Sequence, residues 1–311
     1  MPNSLDCRLL CACACAYDIT PGTNSYDPTP ANELYRNTVA FTSPPTTSCG
    51  GADLINACLI GQNADGIIVA FRGTIRPSLQ TPESLLDWLN DFCEIPIAGG
   101  AGIGKVPGLV HRGFYDATMS VILGVSSAVQ ALNPAGRFPV YVTGHSKGGA
   151  MASLGAWMLS QNVGIPVAKV VTFASPKPGD AAFQSGYQPK LTQIRYENYQ
   201  DIVPLLPPGG ALSGWANKLD LIPGVPKDLV ALFQKGREWG YEPVGQLQFI
   251  QSAANGHQII SDEPVAKQIS DVVAELGDDI WKRNFTSFLN AHILACKLGY
   301  MSGACPGVCP A

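Results

Sequence analysis

The spacing of apolar and polar positions divides the chain into alternating helical and extended stretches. Helical spacing runs over residues 4–16. A stretch rich in Pro, Thr and Asn follows over 20–45 and reads as loop, with a short strand around 38–41. Residues 54–61 and 67–71 are β-branched, apolar runs on either side of Asn63-Ala64-Asp65-Gly66, which predicts a hairpin. A short helix is expected over 84–92, a loop over the glycine-rich 99–108, and a helix over 114–132 that ends before Pro134. Strands at 139–143, 169–173, 192–196 and 245–250 then alternate with helices at 148–159 and 180–187. That alternation predicts an α/β fold with a mostly parallel central sheet covered by helices on both faces. Residues 203–240, rich in Pro, Gly, Leu and Trp, read as an apolar insertion lying over the sheet.

Composition narrows the class. The 311 residues are 46% hydrophobic and 14% charged, which suits a folded globule, and no linker or internal repeat divides them, so one domain over 1–311 is expected. A net charge of −4 with scattered Lys and Arg offers no footprint for a phosphate backbone, so nucleic acid is excluded as a partner. No apolar run approaches the roughly 18 residues of a membrane helix. The N-terminus lacks a basic stretch ahead of Leu9-Leu10-Cys11-Ala12 and does not read as a secretory signal; the chain either stays inside the cell or has lost a leader.

Of ten cysteines, Cys7, Cys11, Cys13 and Cys15 crowd the first helix and Cys305 and Cys309 lie in the tail. Cys7, Cys11 and Cys15 fall on one helical stripe, where Cys packs as a small hydrophobe; disulfides are the second reading. A metal site is disfavoured, since the C-x2-C spacing or nearby His that zinc prefers is missing.

The strongest chemical signal is Gly144-His145-Ser146-Lys147-Gly148-Gly149, a G-x-S-x-G match between a predicted strand and a predicted helix. The turn is so sharp that a Cβ on either flank would clash, which accounts for the glycines and raises Ser146 at the carboxyl edge of the sheet. This is the nucleophile elbow of an α/β-hydrolase, in which the acid and then the histidine follow the serine along the chain. Only four histidines exist: His111 precedes the serine and His145 adjoins it, which leaves His257 or His292 as base. Asp201, 55 residues beyond Ser146 in a loop after a strand, is the acid, with Asp180 as competitor or helix cap. Gly99-Gly100-Ala101-Gly102-Ile103-Gly104-Lys105 begins like a phosphate-binding loop, but Val106 stands where Ser or Thr is required. The serine chemistry calls for no cofactor and no metal.

Phe71-Arg72-Gly73-Thr74, Asp87-Trp88-Leu89-Asn90-Asp91, His111-Arg112-Gly113-Phe114, the elbow, Thr172-Phe173-Ala174-Ser175-Pro176 and Asp201-Ile202-Val203-Pro204 occur in the order seen in the class three lipases. Across most of 50–204 the chain resembles that branch of the α/β-hydrolases. The resemblance implies hydrolysis of carboxylic esters, chiefly acylglycerols, with Ser146 as nucleophile, Asp201 as acid and Thr74 with the amide of Lys147 as oxyanion donors. Lys147 departs from the Leu common in the family. Ala291-His292-Ile293-Leu294 leading to Tyr300 resembles the family's placement of the base, which implies His292 over His257. It also implies a lid over 80–95, in which Trp88 and Leu89 would meet a lipid or small ester substrate, at a lipid–water interface where the substrate is insoluble. Alternatives are an esterase for short or aromatic acyl groups, of the feruloyl esterase kind, and an inactive binding protein on the same scaffold. Oligomeric state is not legible.

Overall fold

Within 67–71, alternate side chains serve two different cores, because successive residues of a strand point to opposite faces. The computed structural model describes residues 3–75, 92–209, 236–282 and 290–309, with 227, 230, 231 and 234. Thr46–Gly50 (β1), Asn56–Gln62 (β2), Ile67–Phe71 (β3), Val140–His145 (β4), Val167–Phe173 (β5), Gln193–Asn198 (β6), Gln246–Ile250 (β7) and Ile259–Ile260 (β8) form an eight-stranded sheet in that order. Strands β3 to β7 run parallel, while β1, β2 and β8 are antiparallel to their neighbours. Ile67, Val69 and Phe71 face one core and Ile68 and Ala70 the other. The expected α/β architecture is therefore observed.

On the second face lies Leu5–Ala16 (α1), capped by the Ser4 hydroxyl, which accepts from the Cys7 amide at 3.1 Å. Leu9 and Leu10 of α1 are fully buried, each contributing roughly 1.5–3 kcal/mol. Cys11, Cys13 and Cys15 are free and buried, as the packing reading expects, and burial pushes each thiol up to about 12. Cys7 differs: it is bonded to Cys305, and Cys296 to Cys309, so the disulfide reading holds for these four. The first core is covered by Ile122–Leu132 and by Lys147–Trp157, the helix after Ser146, whose Gly155 runs against the ring of Phe71.

Three expectations change. Residues 38–41 are not a strand: Glu33–Val39 is a helix ended by Ala40 in the left-handed conformation, and it buries Val39. The stretch 114–132 is broken into Arg112–Met119 and Ile122–Leu132. The hydroxyls of Thr118 and Ser120 there donate back to the carbonyls of Phe114 and Ala117, competing with helix continuation. A small antiparallel sheet of Pro96–Ala98, Leu109–His111, Gly179–Asp180 and Tyr241–Glu242 was not anticipated. The hairpin before β3 is as expected, with Asn63 Oδ1 accepting from the amides of Asp65 and Gly66. The expected helix over 84–92, except Phe92, which is a turn residue, and most of the apolar insertion over 203–240 lie outside the described residues. Among the described residues no helix is long and apolar enough to cross a membrane.

Candidate active site

Ser146 sits between β4 and Lys147–Trp157 with φ 58° and ψ −135°, a strained conformation for a residue with a side chain. The surroundings leave no alternative. A Cβ on Gly144 would fall on the Gly148 carbonyl, and one on Gly148 on the Phe71 carbonyl. The Ser146 amide donates to the Phe173 carbonyl at 3.0 Å, which ties the elbow to the next strand. Ser146 is 2% exposed, so its hydroxyl reacts only with what enters the cavity before it.

His292 Nε2 lies 2.9 Å from Ser146 Oγ, and its Nδ1 lies 3.1 Å from both carboxylate oxygens of Asp201. A carboxylate only accepts, so Nδ1 carries the proton and Nε2 is free to accept from the serine hydroxyl. Asp201 also accepts from the Val203 amide at 3.0 Å and from the Tyr300 hydroxyl at 2.6 Å. Burial and the adjacent Asp201 hold the Tyr300 phenol well above its ordinary pKa, which keeps it a donor. The three residues named from sequence thus meet across 146 positions of chain. His257 does not join them: it lies on the turn after Ala253–Asn255, with Nδ1 3.4 Å from Ser302 Oγ. Asp180 caps Ala181–Tyr187, accepting from the Phe183 amide at 2.8 Å.

Several supporting groups were not found from sequence. Tyr17, just past α1, lies 2.8 Å from His145 Nδ1, and His145 Nε2 lies 2.7 Å from the His292 carbonyl oxygen. That carbonyl only accepts, so Nε2 donates, and the Tyr17 hydroxyl donates to Nδ1. The histidine beside the nucleophile therefore anchors the backbone of the other histidine. Asn198 Nδ2 donates to the carbonyls of Ala291 and Leu298, at 2.8 Å each, and grips the same segment from both sides. Lys177, buried under the loop after Asp201, donates through Nζ to the carbonyls of Leu205 and Pro207; burial pulls its ammonium down to about 8. Sequence position gave no signal for these contacts, because each joins segments far apart in the chain.

Thr74 follows β3 and, with Ser146 and His292, lines a cavity of about 510 Å³. Gly73 before it is packed so closely that a Cβ would meet the Tyr17 hydroxyl and the His145 carbonyl. Lys147 opens its helix, where N–H groups have no partner within the helix itself, and its ammonium donates to Asn56 Oδ1 at 2.9 Å. Trp88 and Leu89 lie outside the described residues.

A family model described as lipase (class 3) matches residues 68–210. Secreted mono- and diacylglycerol lipase 1 of Fusarium solani is 32% identical over 150 residues, which is 46% of this chain and 39% of that protein. The lipase of Rhizomucor miehei is 31% identical over 155 residues, 48% of this chain and 39% of that protein. The chain thus spans less than half the length of these relatives. The crystal structure of a mutant form of MDLA from Penicillium cyclopium superposes with a TM-score of 0.57 at 19% identity, over 97% of this chain and 96% of that one. At that identity what is shared is the fold.

Proposed function

Because this chain belongs to the class 3 lipase family, we propose that it is a serine carboxylic-ester hydrolase whose substrates are acylglycerols. The observation that carries this reading is the continuous hydrogen-bonded run from Ser146 Oγ through His292 to Asp201, opening on a cavity of about 510 Å³. In the proposed reaction His292 Nε2 takes the hydroxyl proton as Ser146 Oγ attacks the ester carbonyl carbon. Asp201 stabilises the imidazolium. The carbonyl oxygen, now an oxyanion, is met by the amides of Thr74 and Lys147. The imidazolium returns its proton to the alcohol oxygen as the carbon–oxygen bond breaks, leaving Ser146 acylated. Water then attacks the acyl-enzyme with the same groups and releases the acid. We take 1–311 as one domain, and 80–95 as a lid on the strength of Leu85, Leu86, Trp88 and Leu89 set there among Glu83, Asp87 and Asp91; Phe92, at the end of that segment, is instead buried in the core beside Phe114.

The test is labelling with a fluorinated alkylphosphonate, followed by peptide mass mapping and by hydrolysis assays on a glyceride series. Phosphonylation of Ser146 with glyceride hydrolysis is the expected result. An unlabelled serine would leave a binding protein, and activity confined to short or aromatic acyl esters would leave an esterase.

A further inference from the structure

The cavity in front of Ser146 is lined by Thr74 and Ile75 after β3 and by His292 with the residues that follow it. Its described lining also includes Ile293, Leu294 and Tyr17 and, from the N-terminal segment, Ala31, Asn32 and Tyr35. Among the described residues, none from the loop 198–207 that carries Asp201 lines it. The run of lining residues that begins at His292 bears on which half of an ester the cavity receives. His292 Nε2 must reach the alcohol oxygen to protonate it as it leaves, so the alcohol half lies on the side of His292. Its volume falls in the range of roughly 300–1,000 Å³ usual for small-molecule sites.

The chemistry of the wall that includes Ala31, Asn32 and Tyr35 indicates the kind of alcohol. The described lining carries no Lys, Arg, Asp or Glu, and most of it is apolar. Apart from the two histidines, its polar side chains are those of Asn, Tyr, Thr and Ser. Asn32 Nδ2 donates to Asp18 Oδ1 at 2.9 Å, which fixes the amide and leaves Oδ1 as the end that accepts. The hydroxyl of the half-buried Tyr35 has no hydrogen-bond partner among the described residues. An acceptor and a hydroxyl set in an apolar wall suit a neutral alcohol that bears hydroxyls on a short carbon frame, whereas a phosphate-bearing alcohol would enter without a counter-charge.

Resting on the ester-hydrolase reading above, we propose that Ala31, Asn32 and Tyr35 form the alcohol-selecting wall, and that it recognises the glycerol end of a partial acylglycerol. Ala31 lies exposed on the single turn Pro30–Asn32, so a larger side chain there narrows the wall without entering the core.

The experiment measures kcat/KM on two ester series, one varying the alcohol on butyrate and one varying the acyl chain on methanol. Ala31→Trp should lower kcat/KM about tenfold for glycerol monobutyrate and bulkier alcohols, leave methyl butyrate within about twofold, and leave the acyl-chain profile unchanged. Tyr35→Phe should lower the preference for glycerol monobutyrate over propyl butyrate by about fivefold, since only the former offers hydroxyls. Wild-type protein should favour glycerol monobutyrate over its phosphorylated counterpart by at least about tenfold. A shifted acyl-chain profile with an unchanged alcohol order would overturn the proposal and make the cavity an acyl site. No shift in either series for both variants would also overturn it, as would an equal rate on the phosphorylated ester. A wild type inactive on both series would instead sink the ester-hydrolase reading, and this inference with it.

Discussion

The Tyr300 hydroxyl donates to Asp201 Oδ2 at 2.6 Å and accepts from the Asn198 amide at 3.1 Å, bridging the acid to the strand that precedes it. Its bond holds a buried carboxylate in the plane that meets His292. Tyr300→Phe keeps the ring and removes the bond. We expect kcat to fall about tenfold with KM little changed, and stability to fall by about 1.5–3 kcal/mol, the range for a hydrogen bond to a charged group. Steady-state kinetics and denaturant unfolding read the two effects. Loss of stability alone would make Tyr300 a packing residue.

Removing the nucleophile or the base should cost nearly the same, because the two act as one unit. Ser146→Ala and His292→Ala are each expected to lower kcat by roughly 10⁴ to 10⁶. His257→Ala should stay within about twofold, since its contact is with Ser302 rather than Ser146. Full activity in the Ser146 variant would end the proposed mechanism.

How much of this was legible in the sequence depended on how local each cause is. The elbow was readable because its glycines and serine are contiguous and their steric requirement is local. Asp201 was readable from its place after a strand, but choosing His292 over His257 required the family resemblance, since both follow the last parallel strand. Tyr17, His145, Asn198 and Lys177 stayed hidden. Their roles arise from contacts between segments brought together only by the sheet and by the two disulfides that tie down 290–309. Val39 misled for a related reason: β-branched residues read as strand, yet the helix it ends buries it against the second core.

Thr74 tests the oxyanion assignment. An oxyanion donor acts mainly in the transition state, so Thr74→Gly should lower kcat by up to about 10² to 10³ while changing KM less. Phosphonate labelling of Ser146 should persist in the variant, at a slower rate. A change confined to KM would make Thr74 a substrate contact instead.

The lid reading concerns a segment of which 80–91 lie outside the described residues, so it is tested by function. A lid that opens exposes apolar surface that lipid stabilises and water does not. Hydrolysis of a medium-chain ester should therefore climb as substrate passes its solubility limit, and changing Trp88 and Leu89 together to Ser should abolish the climb. Smooth saturation through the limit in both proteins would remove the lid.

The last prediction concerns pH and stability, and it rests on His111. The imidazole is fully buried, stacked on Phe114 with ring centroids 3.8 Å apart, and its Nδ1 accepts from the Phe114 amide at 3.3 Å. Burial pulls its pKa down to about 4, against a hydrogen bond with Phe92 that raises it. The folded state therefore keeps this ring neutral where the unfolded chain, with an ordinary pKa near 6.5, already takes up a proton. Between pH 6.5 and 4 the unfolded state binds more protons, so stability falls as pH falls. The contribution is fully present above about 6.5, is lost on approaching 4, and amounts to about 3 kcal/mol across the window. His111→Gln has no proton to take up. It should be less stable than the wild type at pH 7, but its unfolding free energy should depend on pH less steeply between 4 and 6.5, by up to about 1.4 kcal/mol per pH unit. Denaturant titrations of both proteins at pH 4.5, 5.5 and 6.5 would measure the difference in slope. Parallel slopes would show that His111 titrates alike in the folded and unfolded chains, and the acid sensitivity would then have to come from other groups.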